Sequence, residues 1–418
     1  MVTPETKKLF HGWWMVGSGF LLMMYTTGVG FFGFTAFVNP ISEAVAGGSK
    51  ALIAGAVSIQ RAEAGLMSPF IGILVDKVNP KVLLVLGFLI GGSGFIGLSF
   101  IQNLLQFYLA FFVVALGLGA GSFLVVSTAV SNWFIKKRGR ALGMLFLGPS
   151  FAGIIVAAIV WGVEVIGWRE TLFIIGVGMW VFCIPVSLVM KTKPEDHGLL
   201  PDGEVILPGS SPQDPSDIGE NIPGTFKQIL WSRAYWQYVW ILGLQQLGFS
   251  ALVIFQIPAL ETFGLTTAMA GLVVLAWGLG GIPGRIGAGF LSDIVDKRLV
   301  LAGAFVLQIV GSIFFLTTTN FYWALGYSFF HGAGWGGTTP ARLSLQGEYW
   351  GRGVFGRLMG MQMGISAIGG IISPIFVGWM YDRTGDYHLP LFIVLLPMVI
   401  SVFLILTIKK PQYSKQLI

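Results

Sequence analysis

Charge is scarce in this sequence of 418 residues. Asp, Glu, Lys and Arg make up only 11% of it, where a soluble globular domain carries roughly 25%. The chain is 55% hydrophobic, with a mean hydropathy of +0.79. That is more apolar surface than a water-soluble fold can hide, so lipid is the expected solvent. Cysteine is nearly absent, and the single Cys183 excludes a disulfide framework and a multi-cysteine metal site. The four histidines show no metal-ligand spacing. There is no Gly-x-x-x-x-Gly-Lys-Ser loop for ATP, no nucleophile–base constellation, and no basic stripe interleaved with aromatics. The reading is therefore not an enzyme, with no cofactor, no metal and no nucleic-acid partner. No cleavable signal peptide is evident, because the apolar run after Lys7 and Lys8 is too long for one. It reads as a first membrane helix.

What is present is a series of twelve apolar runs, each near the roughly 20 residues needed to cross a bilayer. Their approximate limits are 13–38, 50–73, 82–101, 105–131, 141–162, 169–190, 236–261, 267–289, 299–318, 321–346, 356–380 and 389–408, each about one bilayer long. The one long polar stretch, Lys191 to Ser232, carries Pro194, Pro201, Pro208, Pro212, Pro215 and Pro223, a linker composition. The expected organisation is a six-helix half over 1–190, a linker over 191–235 and a second six-helix half over 236–418.

Lys and Arg are unevenly shared among the connections. The even ones hold Lys77, Lys81, Lys136, Lys137, Arg138, Arg140, Lys191, Lys193, Lys297, Arg298, Arg352 and Arg357, whereas the odd ones hold Lys50, Arg169 and Arg383. The ends add Lys7, Lys8, Lys409, Lys410 and Lys415 to the basic side. Both termini and the linker are thus expected in the cytoplasm, with the protein in the inner (plasma) membrane of a prokaryote. The net charge of +6 reads as an insertion signal.

Two motifs recur at one separation of about 217 residues. Gly72-Ile-Leu-Val-Asp76-Lys77 is echoed by Gly289-Phe-Leu-Ser-Asp293, and Trp133 with Gly139-Arg140 and Gly143 by Trp350 with Gly356-Arg357 and Gly360. Parallel repeats of this kind are a transporter architecture. The chain resembles the major facilitator superfamily over nearly its whole length. Gly72-x-x-x-Asp76-Lys77, with Lys81 following, resembles that family's signature after its second helix, although Lys77 stands for the usual Arg and Asn79-Pro80 for Gly-Arg. Gly289-x-x-x-Asp293 resembles the second-half copy, with its basic residues delayed to Lys297 and Arg298. The implied fold is all-α, twelve membrane helices in two pseudo-symmetric bundles. Physically, Asp76 can face the positive N-terminal end of helix 11 and Asp293 that of helix 5, with Arg357 and Arg140 beside them. Gly72, Asp76, Lys77, Arg140, Gly289, Asp293 and Arg357 are therefore candidate members of a cytoplasmic gate. The plainer alternative is that these charges only set topology.

Charges inside a span cost roughly 2.5–3.5 kcal/mol each and are usually functional. Arg285 lies about two turns before Asp293, in the glycine-rich run Gly278 to Gly287. A guanidinium is always charged and binds a carboxylate through paired hydrogen bonds, so Arg285 suits an anionic substrate. The segment resembles helix 8 of the monocarboxylate transporters and oxalate–formate antiporters, in which the arginine binds the substrate carboxylate. The oxalate group adds a lysine in helix 11, where this chain has Gln362. With one fixed cation a monoanion is expected, since a second buried carboxylate would lack a partner. Gly281 replaces the acid often found in the monocarboxylate group, which puts proton coupling of their type in doubt. Phe123 matches an aromatic of helix 4 that often faces substrate.

Other candidates are less specific. Arg61 and Glu63, two apart in helix 2, point to different faces. They read as an internal ion network, or Glu63 as a proton carrier, since desolvation favours the neutral carboxyl. Arg342 is a third candidate member of that coupling or ion network, and it either snorkels to water or lines the inner vestibule. His331 reads as a hydrogen-bonded interior residue or a substrate contact. Among the uncharged polar residues within spans, Gln245, Gln256 and Tyr327 compete with Gln246, Gln362 and Tyr25 to line the cavity, and the last three are retained as substrate candidates. The tryptophans near span ends, Trp133 and Trp350 included, read as interface anchors. The expectation is a secondary transporter working by alternating access as a monomer. It would move a small organic anion, foremost a monocarboxylate, by proton symport or exchange with a counter-anion. Proton-coupled efflux of a drug or amphiphile, on a loose helix 5 pattern from Gly143 to Gly153, and a membrane solute sensor are the alternatives.

Overall fold

Backbone N–H and C=O groups in hydrocarbon must be satisfied within the segment, which leaves helix as the one solution for single apolar runs. The computed structural model describes residues 10–45, 47, 50–121, 123–203 and 225–411, without the side chains of 31, 35, 50–62, 64, 120 and 267. Twelve long helical segments cross the molecule. Segment α1 starts with His11–Thr27 and continues through a π turn, Gly28–Phe32, a 3-10 turn, Gly33–Phe37, and Val38–Val45. It is followed by α2 (Lys50–Lys77), α3 (Pro80–Ser99), α4 (Leu104–Trp133), α5 (Arg138–Val165) and α6 (Trp168–Ser187). After the linker come α7 (Arg233–Ile254, prolonged by Gln256–Thr262), α8 (Thr267–Ile294), α9 (Lys297–Leu316), α10 (Phe321–Trp350), α11 (Phe355–Thr384) and α12 (His388–Thr407). Among the described residues, nine helices are long and apolar enough to cross a membrane by themselves. The other three, α1, α2 and α10, bear the π turn or the interior charged and polar side chains.

Each apolar run in the sequence has a helix over it, and several helices outlast their runs on the basic side. Segment α2 continues past residue 73 to Lys77, α8 past 289 to Ile294 and α10 past 346 to Trp350. Segment α5 begins at Arg138, not near 141. A helix does not stop where hydrocarbon ends. It stops where a cap appears. Asn79 and Asp296 accept from the N–H groups of Lys81 and Arg298 at the starts of α3 and α9. Asn103 and Asn320 do the same at α4 and α10. These cap pairs share the offset of the sequence repeat, so the two halves are built alike down to their capping side chains.

The core of the first half, with Phe88, Phe95, Phe107, Trp133 and Phe134 fully buried, also takes in Leu343, Phe355 and Met359 from the second. The second half has a cluster around Phe315, Tyr327 and Leu391 and another around Tyr235, Tyr238 and Trp350. Trp133 and Trp350 are buried, so they are not the interface anchors expected of them. Trp133 packs on Phe10 and His11, and Trp350 packs on Tyr235 and Tyr238. Trp14, Trp236, Trp240 and Trp379 do face outward. The outer surface is covered with exposed Leu, Ile, Val and Phe, including Leu66, Val181, Leu272, Ile375 and Phe403. Such a continuous apolar belt fits lipid and not water.

Candidate functional site

With twelve crossings, the termini and the even-numbered connections share one end of the bundle, here called the basic end. There α2 packs against α11 and α5 against α8, one helix from each half. Glycine lets them approach. A methyl on Gly72 would meet the Gly356 carbonyl, one on Gly360 would meet that of Ser68, and one on Gly289 would meet that of Gly139. The contact of α2 with α11 reaches inward to Gly65 and Ala367, about mid-bundle.

This close approach aims two carboxylates at two helix N-termini. Asp76 accepts from the backbone N–H of Gly356 at 2.9 Å and of Arg357 at 3.0 Å, and from the Arg357 Nε at 3.1 Å. Asp293 accepts from the N–H of Gly139 at 2.7 Å and of Arg140 at 3.1 Å. Its Oδ2 lies 3.3 Å from the Arg140 Nε, an ion pair without hydrogen-bond alignment. The Asp side chains are 2% and 4% exposed, and Arg357 and Arg140 are 27% and 36% exposed. Exposed ion pairs contribute about 0–1 kcal/mol, whereas each bond from a backbone N–H to a buried carboxylate contributes roughly 1.5–3 kcal/mol. The aspartate-to-helix bonds therefore dominate, and the arginines add little. Lys77 is exposed and joins no ion pair among the described residues, so it does not stand with the other gate candidates.

A further tie was not legible in the sequence. Arg352, between α10 and α11, donates to the Asn132 carbonyl and to Glu195 Oε1, both at 2.6 Å. Asp202, in the linker, accepts from the N–H groups of Ile135, Lys136 and Lys137. Nothing in the composition of a Pro-rich linker marks these two acids as structural.

At the centre the pattern changes. Arg285 on α8 is 5% exposed, and no carboxylate pairs with it among the described residues. It donates to Ser150 Oγ of α5 at 2.5 Å, and its guanidinium lies 4.7 Å from the Trp335 ring of α10. A side chain at Gly281 would run into the guanidinium, so the missing acid there leaves the space Arg285 occupies. Pro283, two residues before it, removes one helix hydrogen bond and loosens the local backbone.

Arg342 repeats that arrangement on α10, two residues after Pro340. It does not snorkel to the basic end. Its Nη1 is 3.5 Å from Gln362 Oε1 of α11, its guanidinium is 5.8 Å from the Phe123 ring of α4, and its buried Nε has no partner. Phe123 packs on Phe146 with ring centroids 4.9 Å apart, one helical turn from Ser150. Arg285 thus touches α5 directly, where Gly148–Phe151 tightens to a 3-10 turn, and Arg342 is linked to it only through Phe123. The helix 11 lysine is missing, but a second buried arginine, from α10, reaches Gln362, which the reading of a single fixed cation did not include. The ion network expected for Arg342 is corrected, since its partners are neutral.

The remaining candidates lie elsewhere. Tyr25 donates to the Ile175 carbonyl of α6 at 2.9 Å, so it ties α1 to α6 and is not with Arg285. Gln246 sits beside Gly370, eight residues along α11 from Gln362, and nothing brings it to either arginine. His331 is fully buried behind Trp335 and accepts at Nδ1 from Trp277 Nε1 at 2.9 Å, while its Nε2 is unpartnered. It belongs to an aromatic layer of Phe249, Trp277 and Trp335 that backs Arg285. Gln245 bonds Gln308, which bonds Thr338, a closed network between α7, α9 and α10. Both carboxylate oxygens of Glu63 are buried with no hydrogen-bond partner among the described residues, and the Arg61 side chain lies outside them. Sequence reasoning missed Ser150 and Trp335. Trp335 could have been found as a tryptophan in mid-span, far from an interface.

Comparisons with known proteins bear on the family and the fold. A family model for the Major Facilitator Superfamily matches residues 12–362 and 239–417. A probable sulfoacetate transporter of Cupriavidus necator, SauU, is 26% identical over 353 residues, covering 77% of this chain and 76% of its own. Monocarboxylate transporter 13 of Rattus norvegicus is 23% identical over 390 residues, covering 90% and 84%. Among solved structures, the human organic anion transporter MFSD10 superposes with a TM-score of 0.67 at 12% identity, over 94% of this chain and 99% of that one.

Proposed function

The chain belongs to the Major Facilitator Superfamily, a family of membrane transporters, and on that premise we propose that it is a secondary active transporter of a small organic anion. The observation that carries this reading is Arg285. A buried guanidinium in a membrane protein, with a hydroxyl and an aromatic face for company, leaves its paired N–H groups for a carboxylate. A monocarboxylate is the smallest substrate that meets this need. Relatives named for monocarboxylates and for sulfoacetate support the anion class.

The mechanism is alternating access. With the α2–α11 and α5–α8 contacts made, the substrate reaches Arg285 from the end opposite the basic one. Breaking the bonds of Asp76 and Asp293 to the helix N-termini opens the basic end, which we take as cytoplasmic from its lysines and arginines. Ser150 and Arg285 lie on the two helices whose contact must part, so the bound anion is positioned to report occupancy to that gate. Coupling is proton symport or exchange against a second anion.

The test is uptake of radiolabelled lactate, pyruvate and acetate by proteoliposomes, with Arg285→Gln alongside. An inward proton gradient in one arm and unlabelled acid inside in another separate symport from exchange. Uptake by wild type that is lost in a well-folded Arg285→Gln variant supports the reading. Equal uptake by both defeats it.

A further inference from the structure

Two cations stand at the centre, and the proposed function uses only one. Arg342 is charged at any physiological pH, lies within a span, and has a long 3.5 Å contact to an amide as its best side-chain partner. At that length the bond is weak. Its Nε is buried with no acceptor, and an orphaned donor on a charged group costs more than the contact returns. A structural role would be expected to satisfy it, as Asp76 satisfies Arg357 at the basic end.

The position of Arg342 relates it to Arg285. Trp335, under the Arg285 guanidinium, and Arg342 are seven residues apart on α10, so they share a face about 10 Å apart along the axis. Side chains on a helix lean toward its N-terminus, which brings the Arg342 head back toward Trp335. From the other half, Ser150 touches Arg285, and Phe146, one turn away, backs the Phe123 ring that faces Arg342. Arg285 and Arg342 are thus both tied to residues 146–150 of α5, one directly and one through Phe123.

We infer that Arg342 is a second anion-binding group of the same site, so that the preferred cargo is a short dianion with acidic groups at both ends. Monocarboxylates are weaker cargo, because they leave Arg342 without an anion. This rests on the proposed role of Arg285 as the first carboxylate site. Gln362 orients the second guanidinium, held in turn by its own bond to Ser366 at 2.7 Å.

The experiment compares malonate and succinate with acetate and propionate in proteoliposomes of wild type, Arg342→Gln, Arg342→Lys and Arg285→Gln. Thermal melting of each purified variant checks its fold. Wild type is expected to half-saturate at concentrations at least about tenfold lower for one of the dianions than for the monoanions, equivalent to one charge-assisted bond. Arg342→Gln should raise the dianion value at least about tenfold and leave the monoanions within about threefold, with Arg342→Lys restoring part of the difference. An equal effect of Arg342→Gln on both classes, or no preference in wild type, overturns the inference. If Arg285→Gln abolishes all uptake while Arg342→Gln changes nothing, the function stands and only the second site falls. If Arg285→Gln is indifferent, or wild type carries none of the four acids, both fall.

Discussion

At the basic end of the bundle, each buried carboxylate has two backbone N–H groups and an arginine beside it. At the centre, two guanidiniums have a hydroxyl, an amide and aromatic faces. Both regions join the same two halves, and α5 and α8 run through both. The basic end is complete without a ligand, so it can hold the protein closed by itself. The centre is short of negative charge among the described residues, which on the proposed function a substrate supplies. Paired charge thus lies where the gate is proposed, and unpaired charge where the substrate site is proposed.

This contrast can be broken by substitution. The largest effect is expected at Arg285, where Arg285→Gln should lower uptake at least about 100-fold, since one charge-assisted pair lost in the transition between states costs about 3 kcal/mol. Arg285→Lys should keep a fraction, because an ammonium offers no paired fork. Next come the gate aspartates. Asp76→Asn and Asp293→Asn lose charge but keep one acceptor, so transport should fall about tenfold. Cysteine labelling at the basic end should rise as closure weakens. Each arginine beside those aspartates is partly exposed, and Arg140→Ala or Arg357→Ala should cost no more than about threefold. Of the two, Arg357→Ala should be the more damaging, because only its Nε is aligned with the carboxylate. Tyr25→Phe and Lys77→Gln, whose side chains join neither set of contacts, should transport within about twofold of wild type.

Much of the fold was legible because lipid forces it. Each apolar run had to be a helix, and the shared offset of Gly72-Asp76 and Gly289-Asp293 announced two like halves. The contacts of Asp76 and Asp293 with helix N-termini were legible from the same repeat, since a duplicated acid at a fixed distance from a glycine has a helix terminus to meet. The helix ends were misplaced because hydropathy reports the bilayer and caps report the helix. The centre was only half readable. Arg285 stood out as a charge in a span, but which face of α10 carries Arg342, and whether Tyr25 turns to α6 or to the cavity, depend on helix rotation. Neither hydropathy nor spacing encodes that rotation in a span that is apolar nearly all round. Ser150 was invisible because a serine in a helix bonds its own backbone as readily as a neighbour. Trp133 and Trp350 were misread because tryptophan at a span end suits the interface equally well, and only the packing of Phe10, Tyr235 and Tyr238 decides between the two.

The most direct test of the central role of Arg285 is uptake of radiolabelled carboxylic acids by proteoliposomes containing Arg285→Gln protein whose melting temperature matches wild type. The account predicts no uptake above empty liposomes, under a proton gradient or with acid preloaded. Uptake at the wild-type rate would contradict it, and would make Arg285 a packing residue between α5, α8 and α10.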